Sequence, residues 1–335
     1  MNRKEAKNSQ FDMEEIVITN HGRKEWQAVV LENENLSINV LPELGGKMTK
    51  LVNKKTGTQF LKEPESADGE LTPPSMGFDF KPPYAFGFDE CFPTVAPTHY
   101  PFNERVIQWP DHGELWTQEW EFELVDKTRI VLKATGVNLL YEFQKEMTLE
   151  GNEVKINYSV KNNSYRPFDY IWAAHPLLEI NEEDEILLPD TIDEVSVYYS
   201  SKENVAEGIK VAWPFLQGDD TDFATIQARN RNLAMKLFAE NVETGRAGLY
   251  RKRHDETILF GFDTEKVPHL GLWLCYGGWP ENAESGSYTV ALEPTTASFD
   301  KLSEAIDKGQ NRSIEPGEVH SWDMSVEMLI GKAEI

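Results

Sequence analysis

Apolar and polar residues alternate with a period of two along most of this chain. In "LSINV" (36–40), Leu36, Ile38 and Val40 fall on one side. In "NEVKINYSV" (152–160), Val154, Ile156, Tyr158 and Val160 do the same. "RNLAMKLFAE" (231–240) sets Leu233, Met235 and Leu237 opposite Ala234, Lys236 and Phe238, and "SYTVALEP" (287–294) and "VHSWDMSVEML" (319–329) continue the pattern. Successive side chains of a strand point to opposite faces, so these runs predict half-buried strands. Polar clusters between them, such as "TNHGRK", "LEGNE" and "KNNSYRP", predict turns. Only "SFDKLSEAIDKG" (298–309) has convincing helical spacing, with Phe299, Leu302 and Ile306 on one face, Ser298 as N-cap and Gly309 as the close. A second short helix is compatible with the rest. Many strands and almost no helix predict an all-β protein of two large sheets packed face to face. No linker or repeat divides the chain, so residues 1–335 read as one domain, with 1–15 a loose N-terminal segment.

One segment breaks the alternation. From Lys62 to Phe102 the chain is rich in proline and aromatic residues. Connections beyond about 12–15 residues are uncommon inside a compact domain and are usually functional or disordered. The aromatic content predicts an ordered loop that lines a site.

Composition narrows the partners. Lys and Arg number 33 against 57 Asp and Glu, a formal net charge of -24. That field repels phosphate backbones and anionic membrane surfaces, so nucleic acid and membrane are not expected as partners. Cys91 and Cys275 are too few for a disulfide framework or a zinc site. The N-terminus lacks the apolar core of a signal peptide, and no apolar run approaches about 20 residues. The expectation is a cytoplasmic protein; a homodimer is compatible with these observations.

Three short motifs carry candidate chemistry. "FDYIWAAHPLLEI" (168–180) places a histidine, His175, at the end of an apolar run and in front of Pro176. Read as a strand, it puts Asp169, Ile171, Ala173 and His175 on one face, and the proline should end the ladder and leave His175 at the sheet rim. "YTVALEPTTASFD" (288–300) repeats the device: Glu293 shares a face with Thr289 and Ala291, and Pro294 follows. In "PDHGELW" (110–116), His112 precedes Gly113, which lets the backbone turn tightly and present the imidazole. Aromatic residues lie nearby in "LGLWLCYGGWP" (270–280), with Trp273, Tyr276 and Trp279. Flat rings beside hydroxyl-binding carboxylates suit a sugar, whose C–H face packs on rings while its hydroxyls demand hydrogen bonds.

The segments "LPELGGKMTKLVNKKTGTQFL", "DHGELW", "HPLLEI" and "LEPTTASFDKL" resemble, in this order, those of the aldose 1-epimerase (galactose mutarotase-like) family, over about residues 30 to 330. The resemblance implies a large antiparallel β-sandwich, the supersandwich, and interconversion of the α and β anomers of a sugar. It implies that Glu293 is the general base for the anomeric hydroxyl, that His175 is the acid for the ring oxygen, and that His112 helps to bind and polarise that side. Trp273 falls where related proteins place a substrate-contacting aromatic residue. Ring opening needs a base at one oxygen and an acid at the other, both exchanging protons near neutral pH, which histidine and an environment-tuned carboxylate can do. The resemblance therefore implies a reaction that needs no metal or organic cofactor.

The chain also departs from the pattern. Galactose mutarotases carry an Asn-Arg pair where this chain reads "FGFDECFPTVAP", with Asp89 and Glu90. With Trp273 and Tyr276, these two are the expected substrate-binding residues, and an acidic pair predicts a neutral sugar rather than a phosphorylated one. Asp219, Asp220, Asp222 and Asp263 are candidates for the family's substrate-binding aspartate. Two other functions compete: sugar binding or sensing without catalysis on the same fold, and a glycoside hydrolase or lyase pairing Glu293 with Asp89 or Glu90.

Overall fold

The structure, a computed structural model, describes residues 16–21, 24–65, 71–202, 207–215, 221–281, 283 and 286–335. Segment 1–15, expected to be loose, lies outside them, as do Asp219 and Asp220. Two large antiparallel sheets dominate. The first runs, edge to edge, through Ile16–His21, Lys24–Glu32, Leu36–Leu41, Lys47–Asn53, Phe88–Cys91, Ala173–Leu178, Tyr288–Thr295, His269–Tyr276, Leu233–Ala239, Glu194–Ser200 and Lys210–Ala212, with Thr58–Gln59 beside Lys47–Asn53. The second runs through Glu185–Leu187, Arg246–Arg251, Glu256–Phe262, Val319–Ile330, Glu153–Asn162, Tyr141–Glu150, Arg129–Thr135 and Glu121–Asp126. The expected all-β sandwich is the observed architecture. Among the described residues, no helix is long and apolar enough to cross a membrane.

The period-two pattern translates directly into two layers of contacts. One face of the first sheet offers Leu237, Leu272 and Leu292 to the second sheet's Phe143, Ile156, Val160 and Trp322, all within the main core. The other face carries a smaller cluster built from Leu177 and Ala291 of the sheet, Trp26, and Phe80, Tyr84, Phe86 and Trp116 of the overlying segments. Trp273 and Trp279 pack on its margin. Of the described residues between Lys62 and Phe102, Phe80, Tyr84 and Phe86 cover this second face, Phe88–Cys91 is a strand of the first sheet itself, and Thr98–Phe102 pairs with Arg105–Trp109.

Three expectations need correction. First, His175 and Glu293 do not sit at sheet rims; both lie inside strands near the middle of the first sheet. Ala173 pairs with Thr295 and Leu177 with Ala291, so the ladder between these strands lapses over Ala174–Pro176 and then resumes. Pro176 and Pro294 both fall in that lapse, where a missing N–H costs no ladder bond. Second, the run from Phe168 is two strands, not one: Phe168–Tyr170 pairs with Arg312–Ile314, and Asp169 bonds Asn311 and Tyr100 far from His175. Third, the helix spans Leu302–Lys308 and begins after Ser298, which instead bonds the Gln310 side chain. The Thr94 hydroxyl accepts the Leu302 N–H in its place. Gly309 closes the helix in a left-handed conformation, φ 69°, as expected. Among the described residues, a short 3-10 turn also occurs at Arg229–Arg231.

Candidate active site

The outer face of the first sheet collects ionisable side chains in a row. His175 is in register with Asp89 on one neighbouring strand. On the other neighbour, the Ala173–Thr295 and Leu177–Ala291 pairs set Glu293 across from His175. The next strand contributes Gly271, paired with Glu293, and Trp273, and the strand beyond contributes Lys236, paired with Trp273. A Cβ at Gly271 would lie 3.3 Å from Glu293 Oε2 and 3.3 Å from Lys236 Cε. The absent side chain thus lets Lys236 reach across a strand to Glu293.

His112 approaches from above. Its φ is 59° and that of Gly113 is 69°, and a Cβ on Gly113 would lie 2.0 Å from the Phe92 carbonyl oxygen, so only glycine closes this turn. The His112 N–H donates to the Val95 carbonyl at 2.6 Å, and its ring stacks on Phe80 at 4.1 Å. His112 Nδ1 lies 2.9 Å from Asp111 Oδ1, while Asp111 Oδ2 accepts the Phe80 N–H at 2.8 Å. His112 Nε2 faces His175 Nε2 at 3.4 Å, and His175 Nε2 lies 3.8 Å from Glu293 Oε1. With Asp111 accepting from Nδ1, a neutral His112 turns a bare Nε2 towards His175. The network then assigns the His175 proton to its Nε2, between His112 and Glu293.

Burial sets the protonation states. His175, Lys236 and Glu293 are 6, 4 and 1% exposed. Burial, and then the neighbouring His112, Lys236 and Lys47, hold His175 well below the usual histidine range, so it is neutral. Burial raises the Glu293 carboxyl, against the pull of Lys236; Asp300 adds to the rise. Burial lowers Lys236, but Asp300 and Glu293 outweigh it and its ammonium is held more tightly than usual. Lys236 Nζ pairs with Glu293 Oε2 and lies 3.6 Å from Asp300 Oδ1. Glu293 Oε1 is buried with no hydrogen-bond partner.

These groups open on a cavity of about 520 Å³. Its lining includes Phe80, Asp111, His112, His175, Lys236, Glu293 and Asp300 at one end, and Tyr199, Trp273, Trp279, Glu281 and Ser287 elsewhere. Trp273 stacks on Tyr199 at 6.2 Å and meets Trp279 edge-on at 6.1 Å.

Four of the seven anticipated site residues, Glu293, His175, His112 and Trp273, are brought together here; three are not. Asp89 is on the correct face but does not line the cavity: Lys47 pairs with it, and the same ammonium donates to the Tyr84 and Phe86 carbonyls at 3.0 and 2.8 Å. Glu90, one residue on, points to the opposite face and is bound between the sheets by Lys145 and Tyr158. Tyr276 is three residues from Trp273, so it too faces the inter-sheet core, fully buried. The Asp222 and Asp263 side chains accept backbone N–H groups of their own turns, at Ala224 and Glu265. Asp300, Asp111 and Lys236 occupy the cavity instead. A signal for Lys236 existed: it is the one charged residue inside an otherwise apolar strand run, "LAMKLFA".

Residues 27–213 match the family model for aldose 1-epimerase, more than half of the chain. The chain belongs to the aldose 1-epimerase family. The matched stretch contains His112 and His175 and stops short of Lys236, Trp273 and Glu293. Solved structures extend the likeness in fold. The Slr1438 protein from Synechocystis sp. PCC 6803 superposes with a TM-score of 0.69 at 15% identity, covering 94% of this chain and 99% of its own. A galactose mutarotase related enzyme from Lactobacillus acidophilus gives 0.66 at 15% identity, covering 92% and 99%. A galactose mutarotase-like protein from Lactobacillus casei ATCC 334 gives 0.63 at 14%, covering 90% and 100%.

Proposed function

We propose that this protein is a cytoplasmic isomerase that interconverts the α and β anomers of a neutral aldose. The observation that carries the proposal is the pairing of Glu293 Oε1, buried and unpartnered, with His175 Nε2 across 3.8 Å at one end of a cavity large enough for a sugar. Glu293 Oε1 takes the proton of the anomeric hydroxyl as the O–H electron pair forms the C1=O bond and the C1–O5 bond breaks. The protonated form of His175, a minor species made strongly acidic by burial, gives its Nε2 proton to O5 and returns to the neutral imidazole. His112, fixed by Asp111 and Phe80, accepts a hydrogen bond from the His175 Nε2–H at rest and so orients the ring. Rotation about C1–C2 turns the other face of the aldehyde to O5, and the reversed transfers close the ring.

The expectation of an uncharged substrate rests on different residues from those first considered. Asp89 and Glu90 are neutralised by lysines outside the cavity, but Asp111, Glu281, Glu293 and Asp300 line it, against a single lysine among the described lining residues. That balance disfavours a phosphate. It also weakens the hydrolase reading, which assigned the second carboxyl to Asp89 or Glu90.

Sugar binding without turnover draws on one specific observation, the Lys236 ion pair, which lowers the basicity of Glu293. NMR anomer exchange on fresh neutral aldoses and their 6-phosphates separates the two. Accelerated exchange of a neutral sugar, lost in Glu293→Gln and in His175→Asn, is the expected result. Saturable binding of a sugar with no acceleration for any member of the panel would overturn the catalytic reading in favour of the binding one.

A further inference from the structure

Lys236 is not needed by the acid–base scheme above, yet it is buried in the cavity wall against the very group that acts as base. Its ammonium touches two carboxylates, Oε2 of Glu293 and, at 3.6 Å, Oδ1 of Asp300. Three strands cooperate to allow this. Glu293 and Lys236 lie on strands separated by His269–Tyr276, and the intervening position is Gly271. Asp300 arrives from the turn before the helix and is anchored through its backbone carbonyl, which accepts the N–H groups of Val95 and Ala96 at 2.9 and 2.7 Å. Asp300 Oδ1 has no hydrogen-bond partner.

We propose that Lys236 and Asp300 are positioning residues that set the proton affinity of Glu293 in opposite directions and leave only Oε1 free to act as base. The inference rests on the epimerase reading of the site. Held by Lys236, Oε2 cannot turn into the cavity, so the carboxylate presents one oxygen in one orientation. Before reaction the group Glu293–Lys236–Asp300 carries a net charge of minus one. When Glu293 takes the anomeric proton the group becomes neutral, and Lys236 keeps Asp300 as its counter-ion. Without Asp300 the same step would leave an uncompensated buried cation; without Lys236 two carboxylates would face each other and Glu293 would hold a proton before substrate arrived. Among the described residues, the other titratable groups that face Glu293 are His175 and His112, and Cys91 from the strand Phe88–Cys91. The thiol is pushed well above its ordinary value by burial and carries no charge, and His175 is neutral, so Lys236 supplies the nearest full positive charge.

The test reads the carboxyl itself as well as turnover. In protein carrying ¹³C at glutamate side-chain carboxyls, the Glu293 resonance is assigned by its absence in Glu293→Gln and followed against pH. Lys236→Met should move its midpoint up by about one to three pH units, the range for losing an adjacent opposite charge. Asp300→Asn should move it down, and Lys236→Arg should restore it towards wild type. The acid limb of kcat/KM should shift in the same directions. Equal midpoints in wild type, Lys236→Met and Asp300→Asn, with circular dichroism showing all three folded, would overturn the proposal, as would shifts of the same sign. If Lys236→Met does not fold, Asp300→Asn and Lys236→Arg still decide: an unchanged or raised midpoint in the former overturns it. The titration stands whether or not any sugar is turned over, so failure of the epimerase reading shows in the exchange assay and failure of this proposal shows in the midpoints.

Discussion

Two glutamates on opposite faces of the first sheet are each held by a buried lysine, Glu90 by Lys145 of the second sheet and Glu293 by Lys236 of its own, and they illustrate how the same chemistry becomes a strut or a tool. On the inner face Lys145 donates to both Glu90 oxygens and to the Gly46 carbonyl, while Tyr158 donates to Glu90 Oε1. Both Glu90 oxygens are bonded and the surroundings are core. On the outer face Lys236 binds one oxygen of Glu293 and leaves the other bare beside His175 and a cavity. A saturated buried pair has no capacity to receive a proton or a ligand. An unsaturated one at a cavity wall retains that capacity, and the desolvation that would penalise it in a core raises its basicity instead.

The largest expected effect falls on the unsaturated pair. Glu293→Gln keeps the shape and removes the base, and the rate of anomer exchange should fall by about 10²–10⁴-fold, the usual contribution of general base catalysis. The thermal midpoint should change little, which differential scanning calorimetry would check. The saturated pair should behave in reverse. Lys145→Met strands the Glu90 carboxylate between the sheets and should cost about 3–5 kcal/mol of stability in urea unfolding, with the exchange rate per folded molecule retained. If Lys145→Met abolished turnover in folded protein, the separation of strut from tool would fail.

Two histidines sharpen the contrast through pH. Burial holds His269, on the strand His269–Tyr276, at about 4, and holds His175 well below its ordinary 6.5. Below pH 6.5 the unfolded chain therefore binds more protons than the folded one. Stability from these groups is full above that pH and is lost as pH falls towards the folded values. For His269 the loss should reach about 3 kcal/mol by pH 4, from 1.36 kcal/mol per pH unit. His269→Gln should flatten the fall of the unfolding midpoint between pH 6.5 and 4 without altering the pH profile of exchange, because His269 does not line the cavity. The smallest effect is expected at the aromatic wall. Trp273→Ala should raise KM about three- to tenfold with kcat nearly unchanged, since the ring packs on the sugar and takes no proton. A large fall in kcat would show that Trp273 orients the reacting end.

Which of these features could be read beforehand follows from how locally each is encoded. Strand periodicity exposed the sheets, and motif order exposed Glu293, His175 and His112, because each motif carries its residue type within a few positions. The prolines misled: each was read as a strand end, whereas the two share one lapse in the ladder, a fact of pairing between segments more than 100 residues apart in the chain. Asp89 and Glu90 misled for a related reason. Adjacent residues in a strand cannot serve the same site, and whether either is free depends on lysines at positions 47 and 145.

The sequence by itself determined the layered β architecture, the family, and the chemical types at the reacting end of the cavity, since period, composition and short motifs are local properties. Only the tertiary structure decided the charge states. Which carboxylate is neutralised, which oxygen stays bare, and which histidine is kept from its proton depend on side chains meeting across strands. Lys236 reaches Glu293 only because Gly271 stands between them without a side chain, and no spacing along the chain records that meeting.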